Sequence, residues 1–290
     1  MLLVSADERE APTKHAPGPF EGVGPRVVGV VPDGPRSVVA EVGGMIALFG
    51  KIVWSVVRKP YGFWAESLDY FFTTLRRSAL PMAAAIFGFL LFFSLVVVIF
   101  FSQAGAVSLG TAFLFQYGFR AFTVFVVAVV VSGVAGAALT TDLGARKIRE
   151  ELDAMTVMGI DPVRELVVPR AISLIALTTL ISLPGLAVTA VGLQLGAGYY
   201  GHLSAADFYH SLFSSLSPPE LFSVLINCFM LGILITTVCC YKGLNAGGGS
   251  IGLGRAVNQA VVVCYVALFV FQLAYNAIFL GLFPELGRVR

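Results

Sequence analysis

Charged residues are scarce in this sequence, 12% of 290 against 57% hydrophobic, where a water-soluble domain carries about 25% charged and 45–50% apolar residues. Too little polar surface is left to cover a compact body in water. A mean hydropathy of +0.87 makes lipid the solvent for most of the chain and excludes an ordinary cytosolic enzyme. The net charge is only +2, from 19 Lys+Arg and 17 Asp+Glu, so no strongly basic surface recommends nucleic acid as a partner.

Chemistry-bearing residues are equally sparse. The four cysteines, Cys228, Cys239, Cys240 and Cys264, all lie in apolar stretches, with neither a disulfide framework nor the spacing of a zinc site. They read as small polarisable packing residues. His15 stands near the start, and His202 and His210 share a connection with only Asp207 nearby, which is no ligand set. There is no GxSxG, no HExxH and no GxxxxGK[ST], so the chain cannot by itself cradle and hydrolyse ATP. The glycine-rich AGGGSIGLG at 246–254 lacks the lysine and the strand–helix context of a phosphate loop and reads as a flexible connection ending at a helix start near Arg255. Ionisable residues inside the apolar stretches are nearly missing too. Arg120, at a span boundary, comes closest, and a proton-relay transporter is disfavoured.

What the chain does have is long apolar runs. Charge-free stretches place five membrane helices near 81–101, 120–141, 171–198, 221–241 and 259–282, since about 20 residues cross ~30 Å of hydrocarbon. Pro184-Gly185 interrupts the third, a break tolerated where neighbouring helices satisfy the backbone, which places this helix inside a bundle, with a kink expected. Arg58, Lys59, Arg76 and Arg77 precede the first span. Arg146, Lys147, Arg149, Arg164 and Arg170 follow the second, and Lys242 and Arg255 follow the fourth, whereas the connections 102–119 and 199–220 hold no Lys or Arg. The basic connections are expected in the cytoplasm, with the N-terminus inside and the C-terminus outside. Arg288 and Arg290 at the far end run against the rule.

Ahead of the spans, residues 1–37 contain six of the 14 prolines and no apolar run, and read as a flexible cytoplasmic tail rather than a signal peptide. Residues 38–80 hold two amphipathic helices. Val38–Val57 carries Ile46, Phe49, Val53 and Trp54 at helical spacing, and Phe63–Leu80 mixes aromatics with Glu66, Asp69, Arg76 and Arg77. Both fit the membrane surface; ordinary surface helices packed on the bundle are the alternative. Residues 81–290 form the five-helix membrane domain.

The connection TDLGARKIREELDAMTVMGIDPVRELVVPR, residues 141–170, contains an expected surface helix over 143–158. Thr140, Thr141 and Asp142 offer cap oxygens, Ile148, Leu152 and Met155 form one apolar face, and Gly159 with Asp161-Pro162 ends it. Arg146–Glu150 and Arg149–Asp153 are expected i,i+4 ion pairs. In VSGVAGAAL of the second span, Gly133 and Gly136 permit close helix packing or shape a cavity wall.

The 141–170 string and CYKGLNAGGGSIGLGRAVNQAVV at 240–262 resemble the MlaE/YrbE family, permease subunits of ABC transporters that work with MCE proteins, and most resemble the A-type YrbE subunit of Mce operons. The likeness runs from about residue 38 to the C-terminus. The family's EExDAL-type motif falls on Glu150, Glu151, Leu152, Asp153, Ala154 and Met155, with Met for the last Leu. The Glu that many relatives carry directly after the Arg is replaced here in Arg120-Ala121-Phe122. The resemblance implies an all-α polytopic membrane protein, an interfacial N-terminal helix followed by five transmembrane helices. It further implies a heterodimer with a B-type YrbE subunit, a cytoplasmic ABC ATPase dimer that holds the ATP and Mg, extracytoplasmic MCE proteins, and a lipid cargo. Helix 143–158 is then the coupling helix, with Arg146, Arg149, Glu150, Glu151, Asp153 and Met155 as ATPase-coupling residues. No cofactor is expected in this chain. The competing expectation is a membrane scaffold without its own transport path.

Overall fold

The computed structural model describes residues 33–58, 62–201, 204–215 and 218–282. The proline-rich stretch up to Pro32, His15, His202, Arg288 and Arg290 lie outside them. All regular structure among the described residues is helical, and six helices are long and apolar enough to cross a membrane. The chain divides into two compact units within the first helix, after Ala47.

That helix, α1 (Asp33–Arg58), begins earlier than the expected Val38. The expected tail therefore ends before residue 37, because Pro35 falls in the first helical turn, where a missing N–H costs nothing. Along α1, Met45, Leu48 and Ile52 are buried while Ile46, Val53, Trp54 and Val57 are exposed.

The second amphipathic stretch and the first span form one helix, α2 (Trp64–Gln103), 40 residues long. At ~1.5 Å per residue it reaches roughly 60 Å, twice the hydrocarbon thickness, so its polar first half projects beyond the lipid. Pro81 does not end it. Ser78, Met82 and Ile86 are buried around the proline, and this packing carries the helix through.

The second span is a continuous rod. α3 (Val107–Phe113), α4 (Thr123–Val131) and α5 (Ala137–Ile148) are joined by π-helical segments Leu114–Phe122, which contains Arg120, and Ser132–Gly136. The expected connection over 102–119 is thus mostly helix. Phe93 packs on Phe122 at 4.3 Å and on Phe113 at 6.3 Å between ring centroids, holding this segment to α2. After the short α6 (Glu151–Val157) comes a third π-helical segment, Val163–Val167, leading into α7 (Val168–Gly201). Pro184 is accommodated within α7, which runs unbroken and packs on α2, α4 and α9 (Pro218–Leu244). The Pro-Gly pair marked an interior helix without interrupting it. Gly185 instead brings Ile86 and Val127 within 3.4 Å of where its side chain would begin.

α8 (Ala205–Ser215) occupies the connection expected to be a solvated loop. Ser204 caps it by accepting from the Asp207 N–H at 3.1 Å, and Phe208 buries against Phe115 at 5.0 Å. α10 (Gly249–Leu282) starts earlier than Arg255. Only Asn245–Gly248 forms the turn, with Gly248 and Gly249 at positive φ, and a side chain at Gly252 would collide with the Gly247 carbonyl.

Candidate functional site

One end of the bundle gathers the polar groups. Here the start of α2, the end of α5, α6 and the start of α7 meet. The Thr140 hydroxyl ties α5 to the neighbouring α9: it donates to the Gly136 carbonyl one turn back at 3.0 Å and lies 3.2 Å from the Cys239 carbonyl of α9. Thr140 and Thr141 therefore do not cap a new helix, since both hydroxyls bond carbonyls four residues back in the same continuous rod. The expected single helix over 143–158 is two. α5 extends the second span to Ile148, the chain breaks at Arg149 and Glu150, and α6 follows.

The break is made by Glu150, the one non-glycine residue with positive φ among the described residues (φ 60°, ψ 14°). A left-handed L-residue costs about 1–2 kcal/mol, a strain the surrounding ion pairs help to hold. At its other end α6 closes on Gly159 (φ 77°). The Ile160 N–H donates to the Met155 carbonyl at 2.9 Å and the Gly159 N–H to the Thr156 carbonyl at 3.0 Å, a Schellman closure. Asp161 accepts from the Val163 N–H at 3.0 Å and starts the next helical segment.

The ion pairs differ from the expected ones because the break rotates α6 relative to α5. Arg146 pairs with Asp142 at 3.2 Å and Glu151 at 3.4 Å, Arg149 with Glu151 at 2.8 Å, and Lys147 with Asp153 at 2.9 Å. Of the expected apolar face, Leu152 is buried, while Ile148 and Met155 are half-buried. Glu151 and Asp153 thus brace α6 against α5. What points outward is apolar: Val157 is 89% exposed, Met158 66% and Ile160 is also exposed. The sequence reading overlooked these three because they belong to no helical stripe; the signal was an apolar VMGI at the tip of an otherwise charged connection.

Arg170 was read only as a topology marker. It is the one buried charged side chain among those described. Its Nε donates to Asp142 at 2.8 Å, its Nη1 to Glu66 at 3.3 Å and to the Leu166 carbonyl at 2.9 Å, and its guanidinium lies 5.5 Å from the Tyr70 ring centroid. Next to it, the Ser173 hydroxyl reaches the Ser67 carbonyl of α2.

Gly133 and Gly136 stand away from this end, at helix contacts. A side chain at Gly136 would begin 2.8 Å from the Cys239 sulfur of α9, and one at Gly133 would begin 3.2 Å from the Tyr265 hydroxyl of α10. All four cysteines are buried and free, with the Cys239 and Cys264 sulfurs 3.8 Å apart. No cluster of metal-ligating side chains occurs among the described residues.

The family model described as Permease MlaE matches residues 36–278. A probable ABC transporter permease protein of Rickettsia conorii is 28% identical over 150 residues, covering 52% of this chain and 58% of that protein. One from Synechocystis is 31% identical over 144 residues, covering 49% and 54%. The chloroplastic protein trigalactosyldiacylglycerol 1 of Arabidopsis thaliana is 29% identical over 164 residues, covering 55% and 46%. The chain spans about half the length of these curated relatives. With membrane-length helices throughout and a family match over most of its length, the chain is an integral membrane protein belonging to the MlaE permease family.

Proposed function

We propose that this chain is the transmembrane subunit of an ATP-driven lipid transporter, with α6 docking a separate cytoplasmic ATPase that binds the ATP and Mg. The observation that carries the reading is the tip formed by Val157, Met158 and Ile160. Lipid contact accounts for exposed apolar side chains along the membrane-length helices. This tip lies beyond four ion-paired basic and acidic side chains and so faces water, where a contiguous apolar surface calls for a protein partner.

A lipid cargo is supported by the bundle's composition. A cavity for acyl chains or a sterol needs apolar walls without uncompensated charge, and Arg170, with two carboxylate partners, is the one described charged side chain inside. Relatives named as ABC transporter permeases, and one named for a glycolipid, support the same reading. In it the protein resides in the cytoplasmic membrane with the α6 end inside. α1 lies along the inner surface, MCE proteins meet the opposite end, and a B-type YrbE subunit completes a heterodimer.

The test is Val157→Asp with Met158→Asp in the co-expressed complex. Desolvating two carboxylates in a docking groove should lower ATPase recovery more than tenfold, about 1.4 kcal/mol or more, while the variant inserts normally, because both positions are exposed. Full ATPase recovery together with normal transport would make α6 a solvated connection and sink the proposal.

A further inference from the structure

Five ion pairs form an unbroken ladder between the exposed α6 and the interior of the bundle. Glu66 of α2 pairs with Arg170 of α7 at 3.3 Å, Arg170 with Asp142 of α5 at 2.8 Å, Asp142 with Arg146 at 3.2 Å, Arg146 with Glu151 of α6 at 3.4 Å, and Glu151 with Arg149 at 2.8 Å. The ladder crosses the left-handed break at Glu150, the single residue through which the backbones of the two helices meet, its N–H donating to the Lys147 carbonyl of α5 at 3.1 Å and its carbonyl accepting from the Ala154 N–H of α6 at 2.9 Å. Its two ends differ in kind. At the α6 end the side chains of Arg146 and Glu151 are 31% and 40% exposed, whereas that of Arg170 is 8% exposed.

A fully exposed ion pair exchanges its partners for water at little cost, but the side chains of Arg146 and Glu151 are each more than half covered and hold each other more firmly. A buried guanidinium has no water to turn to, so it moves with its partners or loses them at high cost. Arg170 also uses the geometry particular to arginine. Its Nε and Nη1 donate along separate directions to carboxylates on two different helices, and its plane lies near Tyr70, whereas a lysine offers one charged point and no plane. Both oxygens of Asp142 are engaged, one by Arg170 and one by Arg146, so this carboxylate is the joint between the buried and solvated halves.

We propose that Arg170 is a positioning residue that converts displacement of α6 into displacement of the α2–α7 pair, by way of Asp142 and Arg146. The role rests on the docking reading of α6 given above. Arg170 contacts no cargo and no nucleotide; it acts through the carboxylates it holds.

The experiment uses the full complex, co-expressed with its ATPase and reconstituted in vesicles. Fluorescent fatty acid, phospholipid and sterol are offered together as probes. ATPase recovery, ATP hydrolysis and lipid moved per ATP are each measured for Arg170→Lys, Asp142→Asn and Arg146→Gln. In Arg170→Lys and Asp142→Asn, ATPase recovery and hydrolysis should stay within about twofold of the unmodified complex, while lipid moved per ATP falls at least tenfold. Because links in one ladder fail as a unit, Arg170→Lys combined with Arg146→Gln should be no worse than the more severe single variant. An unchanged lipid-to-ATP ratio in both Arg170→Lys and Asp142→Asn, or additive losses in the double variant, overturns the proposal. So does failure of both conservative variants to insert, which would make Arg170 a folding residue alone. If the unmodified complex retains no ATPase, the docking reading has failed instead, a result distinguishable from every outcome in the variants.

Discussion

At the scale of single residues, Glu150 separates two roles that the motif alone merges. Its carboxylate was read as a coupling charge, yet the structure gives its backbone a task as well, the left-handed step between α5 and α6. Glycine adopts that conformation without strain but loses more entropy on folding, so Glu150→Gly should change stability by less than about 1 kcal/mol. Glu150→Val adds a β-branched clash at positive φ and should cost roughly 1–3 kcal/mol. If the backbone task dominates, the glycine variant keeps ATPase recovery and the valine variant loses it. Loss in both would assign the carboxylate a contact of its own. A second contrast lies in the second span. Gly136→Val would drive a branched side chain into the buried Cys239 sulfur 2.8 Å away, an overpacking cost of about 1–3 kcal/mol. Gly133→Ala meets only a hydroxyl at the end of a Tyr265 side chain that can swing aside. Thermal unfolding in detergent should show a clear drop for the first and little change for the second. Equal drops would mean that the whole segment, rather than one contact, is tightly packed.

At the scale of elements, periodicity and charge-free length were enough to place the apolar parts of the membrane helices, because burial in lipid imposes apolar character over some 20 residues whatever the tertiary fold. Helix boundaries were much less readable. The surface stretch was expected to end at Leu80 and Pro184 to interrupt its helix, but packing by residues such as Ser78, Met82 and Gly185 carries both helices past Pro81 and Pro184. The motif at 150–155 showed where the functional segment lies. Its ion pairs were misread because the i,i+4 rule assumes a continuous helix, and nothing in Arg149-Glu150 announces a left-handed residue. Arg170, Asp142 and Glu66 are brought together from far along the chain, a relation that no local pattern encodes. The close seam between α2 and α7 is likewise tertiary. A side chain at Gly192 would begin 3.3 Å from the Phe87 carbonyl, and Gly196 lies against Ser94, whose hydroxyl donates to the Leu193 carbonyl at 2.9 Å. Gly192→Leu must push backbone rather than a side chain and should destabilise the purified subunit by 1–3 kcal/mol or more, by the overpacking estimate of about that size. Gly88→Ala on α2 meets open space and should gain up to about 1 kcal/mol of helix propensity. A neutral Gly192→Leu would show that the two helices separate readily, and a ladder ending on them would then have nothing rigid to move.

At the scale of the whole molecule, orientation decides whether the α6 tip can meet an ATPase at all. The positive-inside pattern is the ground for the proposed orientation, with Arg146, Lys147, Arg149, Lys242 and Arg255 expected in the cytoplasm. Arg58 at the end of α1 lies on the same side whether α1 rests on the surface or crosses, since α2 begins shortly after it. α1 itself is long and apolar enough to cross, but Ile46, Val53 and Trp54 are exposed on it beside Lys51, the mixture expected of a helix lying at headgroup depth. Cysteine labelling separates these arrangements with little background, because the four native thiols are buried. Single cysteines at Ser204, Met158 and Val39, all exposed positions, are treated in intact cells with a membrane-impermeant maleimide. Ser204→Cys should react from outside, and Met158→Cys and Val39→Cys only after permeabilisation. Reaction of Val39→Cys in intact cells would make α1 a sixth span and move the N-terminus outside, leaving the α6 end in the cytoplasm. Reaction of Met158→Cys with protection of Ser204→Cys would invert the bundle. The α6 tip would then face away from any cytoplasmic ATPase, and both the docking reading and the ion-pair ladder as a conductor of motion would fall together.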